Sequence, residues 1–198
     1  VITLTAGNYF IPELLNVFKD KYPDLRFNFH TDLATNLIDR MRINELDFVI
    51  LDGTPHSNEF KMKLLIKDEL IIIGPRNHPL ADKNSVTLEE LKTAKFILRH
   101  GQADTRRAFE IYLLNHLDHI NNFDIILEFD NAALINQLII AGHGISIMSR
   151  AICEVNLQVG TLSEIKLKNF QLERGIYLVY PNNLAKSEII QSILSLAQ

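Results

Sequence analysis

VITLTAGNYFIPELLNVFKDKYPDLRFNFHTDLATNLIDRMRINELDFVIL, residues 1–51, holds one complete unit of a fold and leads into an acid, Asp52. Residues 1–5 (VITLT) are β-rich, and the run breaks at Ala6, Gly7 and Asn8. An amphipathic helix is expected from Pro12, because Ile11, Leu14, Leu15, Phe18 and Tyr22 fall at i, i+3, i+4, i+7 and i+11 on one helical face. Pro23 and Asp24 stop it. Residues 25–30 (LRFNFH) then alternate apolar with polar, the pattern of a half-buried strand. A second helix through Leu33, Leu37, Ile38 and Met41 leads to the apolar run 48–51 (FVIL). Strands and helices alternating over such short turns predict right-handed βαβ crossovers and a parallel sheet. Such a half binds ligands beyond the carboxyl ends of its strands, which points to residues 5–9, 30–35 and 51–54.

The bulk numbers narrow the field. At 198 residues and 47% hydrophobic, the chain can bury the cores of one or two domains. Its net charge of −4, with 20 basic residues spread along the chain, lacks the basic stripe of a duplex-binding module. No apolar run approaches the roughly 20 residues that cross a bilayer. The single cysteine, Cys153, excludes an internal disulfide and a cysteine-built metal site. Starting in mid-strand at Val1 with no leader, the chain reads as an excised piece or a mature protein whose leader is gone.

Beyond residue 51 a loop with Gly53, Pro55 and Ser57 precedes two β-like runs, 62–66 and 69–74, and a turn at 75–79 that would serve as a hinge. Thr87 and Glu90 form a capping-box pattern before a short helix. Residues 95–99 (KFILR) predict a strand, which breaks at His100, Gly101 and Gln102. A helix over 104–117 should bury Phe109, Tyr112, Leu113 and Leu117. A strand over 124–129 follows. Asn131 then caps a helix that buries Leu134, Ile135, Leu138 and Ile139 and ends at Gly142, before a strand over 144–149. A late strand, 174–180 (RGIYLVY), and a final helix over 185–196 cannot form a domain alone. The economical arrangement returns them to the first lobe: lobe I over 1–74 and 167–198, lobe II over 75–166, with a ligand cleft between.

Taken together, the segments 7–12 (GNYFIP), Phe18 with Tyr22-Pro23-Asp24, 45–50 (ELDFVI), 77–80 (NHPL), 86–91 (VTLEEL), Thr105-Arg106 and 141–147 (AGHGISI) resemble the effector-binding domain of LysR-type transcriptional regulators over nearly the whole chain. The resemblance implies an α/β fold of the type 2 periplasmic-binding-protein kind, with two Rossmann-like lobes joined by two crossovers. It implies a cytoplasmic, ligand-sensing protein and no enzyme, without cofactor. Its partners would be a small polar effector and a second copy in an antiparallel homodimer (a tetramer in the full-length protein). DNA would be contacted only through an N-terminal domain missing from this chain, and no membrane would be involved. A transport-associated solute-binding protein shares the fold and is the alternative. The chain departs from the family at Ala103-Asp104, where many members carry hydroxyl residues, and at Asp52, where some dicarboxylate binders carry arginine. Both changes weigh against an anionic effector.

The expected effector contacts are Thr5, Gly7, Asn8 and Tyr9 before the first helix, Thr31 and Thr35 after the second strand, and Asp52 after the third. In lobe II they are His100, Gly101, Gln102 and Thr105 in the equivalent loop, then Asn131 and Ser146. Each has a structural alternative: Gly7 and Asn8 as turn and cap, Thr105 or Asp104 as N-cap, Asn131 as N-cap, and Asp52 as a solvated turn residue or the counter-charge of an amino group. His116 and His119 have a spacing compatible with a metal, but without a third ligand they read as a solvated face. Arg106 and Arg107 read as surface charge at a helix start. No nucleophile–base pair, phosphate loop or carboxylate dyad supports catalysis.

Overall fold

Residues 4–22, 32–53 and 59–196 are described by the computed structural model. The chain divides into two units, Val1–Asp68 with Arg174–Gln198, and Glu69–Glu173. It passes between them inside two strands, β2 (Lys61–Pro75) and β7 (Leu172–Tyr180), and not at the 75–79 turn. β2 is continuous where the sequence suggested two separate runs.

The first unit begins with α1 (Leu4–Lys21), and this overturns the strand expected over 1–5 and the break at Ala6, Gly7 and Asn8. The buried stripe of Leu14 and Phe18 continues backward at helical spacing through Ile11 to Gly7, and Ala6 beside it is fully buried. An internal Gly costs about 1 kcal/mol against Ala, and Pro12 has no N–H to donate to the Asn8 carbonyl. Burial therefore holds these first turns where propensity does not. The strand expected over 25–30 lies outside the described residues, as does Thr31.

Next in this unit comes α2 (Ala34–Arg42), which buries Leu37, Ile38 and Met41 as its spacing predicts. β1 (Val49–Asp52) then pairs with β7, Val49 opposite Val179 and Asp52 opposite Ile176. The pairing is antiparallel, not parallel, because β7 comes from the far end of the chain and enters the unit at Arg174. The core lies on both faces of this pair. Ile50 and Leu178 pack with Phe18, Ile190 and Ile193, while Val49, Leu51 and Val179 pack with Leu37 and Met41. The closing helix, α7 (Glu188–Ser195), turns Ile190 and Ile193 inward and leaves Ile189 exposed.

In the second unit β2 continues and pairs antiparallel with β5 (Ser146–Ser149) and β6 (Leu162–Glu164). The α3 turn (Leu88–Leu91) opens with the capping box as read: Glu90 N donates to Thr87 Oγ1 at 3.2 Å and Thr87 N to Glu90 Oε2 at 2.8 Å. Lys83 and Thr87 together hold the Glu90 carboxyl down at about 2. β3 (Lys95–Arg99) and β4 (Asp124–Phe129) are parallel, joined through α4 (Asp104–Asn115). α5 (Ala132–Ile140) leads to Ile145, which bridges Phe96 in parallel. Phe96, Phe109 and Phe123 pack edge to face and stacked at the centre of this core.

α2, α4, α5 and α6 (Arg150–Gln158) end alike, with Asn44, Leu117, Gly142 and Gly160 at positive φ. The next amide closes back on the helix in each case, as in His143 N to Leu138 O at 3.1 Å. At Leu117 this corrects the sequence reading. The residue is not buried on α4 but 99% exposed, since it occupies the left-handed position just past the helix. Among the described residues no helix is long and apolar enough to cross a membrane.

Candidate functional site

The two parallel strands of the second unit end side by side, at Arg99 and Phe129, and each gives way to a helix N-terminus. This is where parallel α/β sheets hold ligands. In the first loop the half-buried His100 ring accepts the Gln102 amide at Nδ1, 3.3 Å, which leaves the Gln102 side chain exposed. A Cβ added to Gly101 would meet nothing within 4 Å, so the glycine leaves the loop open. α4 begins after Ala103, which supplies no side-chain cap. Thr105, in the first turn, is buried and is not the cap. At the neighbouring loop Asn131 caps α5 by accepting Leu134 N at 3.1 Å.

Behind these loops lie groups that the sequence reading missed. Arg106 is not surface charge: it is 5% exposed and reaches Glu110 at 2.6 Å and Glu128 at 3.3 Å. The i,i+4 spacing of Arg106 and Glu110 was the available signal. Asn136, one turn into α5, is buried with its Oδ1 unbonded. Ser146 opens β5 opposite Ile73 and is fully buried.

In the first unit Asp52 ends β1, and it is neither a solvated turn residue nor open to a ligand amine alone. Its Oδ2 accepts Arg174 Nη1 at 2.6 Å, and Arg174 Nε reaches Asp68 Oδ2 at 2.8 Å. Arg174 and Asp68 are buried and Asp52 nearly so, which places two carboxylates around one guanidinium. The signal was legible in 174–180: Arg174 shares strand parity with the buried Ile176, Leu178 and Tyr180. Thr35 is exposed on the first turn of α2. Thr5, Gly7, Asn8 and Tyr9 lie inside α1, not in a loop before it, and the side chains of Thr5, Asn8 and Tyr9 are outside the described ones.

His116 and His119 serve local structure. His116 lies against the Tyr112 ring at 4.1 Å, and His119 accepts Asn121 N to start a 3-10 turn. No cluster of three His, Cys, Asp or Glu side chains suited to a metal occurs among the described residues. An open groove of about 500 Å³ on the second unit is lined by Arg76, Leu157, Gln158, Leu162 and Lys166, and no expected site residue borders it.

Similarity now adds to geometry. The family model described as "LysR substrate binding domain" matches residues 1–198. The chain belongs to this LysR family. The uncharacterized HTH-type transcriptional regulator YeiE of Escherichia coli K12 is 30% identical over 190 residues, 96% of this chain and 64% of that protein. The HTH-type transcriptional activator CmpR of Synechocystis is 28% identical over 193 residues, 97% of this chain and 62% of that protein. The LysR chain thus spans less than two thirds of the curated relatives it matches. Among solved structures, the regulatory domain of Synechocystis CcmR, in complex with 2-PG, is 26% identical with a TM-score of 0.85, covering 99% of this chain and 93% of that one. The effector-binding domain of QuiR, with shikimate, shares the fold at 21% identity and a TM-score of 0.80, covering 99% and 92%. The fold is the type 2 periplasmic-binding-protein kind, and the relatives are transcriptional regulators, not enzymes.

Proposed function

We propose that this LysR domain senses a small polar metabolite for a cytoplasmic transcriptional regulator, with DNA contacted by a part outside this chain. The observation that carries the reading is the strand-end face of the second unit. There His100, Gly101 and Gln102 precede an α4 N-terminus whose N-cap residue, Ala103, supplies no side-chain cap, and Asn131 begins α5 beside it. These groups donate and accept hydrogen bonds; none is a nucleophile poised against a base, which supports sensing over catalysis. The candidate effector contacts are Thr5, Gly7, Asn8, Tyr9, Thr31, Thr35 and Asp52 in the first unit, and His100, Gly101, Gln102, Thr105, Asn131 and Ser146 in the second. Codons upstream of Val1 decide between classes: a helix-turn-helix supports the regulator, whereas a signal peptide overturns it.

The regulator would work as a homodimer, and as a tetramer at full length. Ile111 and Leu114, exposed by 59% and 57%, form an apolar face on α4 that a second copy would cover. An Ile111→Glu, Leu114→Glu variant should sediment as a monomer at concentrations where the unaltered chain is dimeric. An unaltered chain that is itself monomeric at micromolar concentration contradicts the dimer.

A further inference from the structure

Asp68 and Glu69 are consecutive on β2, and the chain leaves the first unit between them. Strand alternation sends their side chains to opposite faces, and a different arginine holds each. Asp68, fully buried, is held by Arg174 of its own unit at 2.8 Å. Glu69 is held by Arg150, which also donates to Glu164 at 2.8 Å within the second unit. Arg174 is in addition the first residue of the first unit on the chain's return, and its other arm reaches Asp52 at 2.6 Å. One buried guanidinium therefore touches the outgoing strand, lies on the returning strand and grips the carboxyl end of β1.

We propose that Arg174 is a positioning residue that transmits the state of the Asp52 end of β1 to both strands by which the chain changes units. A guanidinium is planar, so its Nε and Nη1 donors move together. A displacement of Asp52 must then be taken up at Asp68 or by the strands themselves. Burial keeps this linkage from being screened as the more exposed Arg150 pairs are. A lysine would keep the charge and lose the fork. The linkage takes its purpose from the effector-sensing reading, but its test uses no effector, so the two can fail separately.

The test is hydrogen exchange followed by mass spectrometry on the whole 198-residue chain without added ligand. Asp52→Asn and Arg174→Lys are compared with Asp32→Asn, which alters a carboxylate bound to Leu33 N and Asn36 at the start of α2. Amides 66–71 and 172–176 should exchange about tenfold or more faster in Asp52→Asn and Arg174→Lys, as expected when a buried pair is broken. In both variants α7 should keep wild-type rates, and in Asp32→Asn the crossing amides should also be unchanged. Wild-type crossing rates in Asp52→Asn or in Arg174→Lys overturn the linkage. So does acceleration spread evenly over the first unit, which would mark the cluster as merely structural.

Discussion

Arg174→Met should destabilise the first unit by about 3–5 kcal/mol, the cost of removing one partner from a buried ion cluster. Asp68 is fully buried, so its carboxylate would stay in the interior without the guanidinium. For a chain of this size the loss lowers Tm by on the order of 10 °C, with peptide-resolved exchange placing the earliest opening at β1 and the crossing amides 66–71 and 172–176. Asp68→Leu in the same chain should recover much of it, since a buried ion pair replaced by apolar groups is often neutral or stabilising. Full wild-type stability in Arg174→Met would show that the cluster contributes nothing. Equal loss in the double variant would trace the effect to packing of the arginine stem instead of charge.

The second large effect is expected at Gly144. A Cβ there would sit 2.5 Å from the Lys95 carbonyl oxygen, which is backbone and cannot swing away. The Ile145 amide donates to the same carbonyl at 2.8 Å, so moving the segment off β3 would break that bond as well. Gly144→Ala should cost about 1–3 kcal/mol or more by thermal melting. Gly101→Ala, where a Cβ meets open space, should melt with the wild type. Indistinguishable melting of the two variants would contradict this close approach of backbones.

The two units differ in how legible they are in the amino-acid sequence. The second unit read well because its signals are local: the Thr87 and Glu90 capping box, the Asn131 cap and the Gly142 terminus depend on neighbours within a turn or two, and all three form. Leu117 misled because an apolar residue at helical spacing looks buried, whereas α4 ends two residues before it. The first unit read less well because its pairing is not local. β1 and β7 are over a hundred residues apart, and nothing within residues 1–51 indicates an antiparallel partner. Burial of Ala6, Leu14 and Phe18 likewise carried α1 through Gly7 and Pro12, which local rules treat as breakers. At the candidate site, loop residues were visible as chemistry-bearing types. Arg174 and Asp68 were missed because a charged residue in a strand was read by composition and not by parity, and Arg106 because its i,i+4 partner on α4, Glu110, was not weighed.

Effector sensing is tested most directly by scanning fluorimetry of the wild-type chain and Gln102→Ala against a panel of small polar metabolites that includes 2-PG and shikimate. A compound bound by the strand-end face and present at 100 Kd should add about 2.7 kcal/mol of stability, a rise in Tm on the order of 5–10 °C. Gln102→Ala, melting alone like the wild type, should show a clearly smaller rise at the same concentration, because it lacks a hydrogen bond of about 0.5–1.5 kcal/mol. A panel in which nothing shifts the wild type, or an effective compound that shifts both proteins equally, would contradict the account.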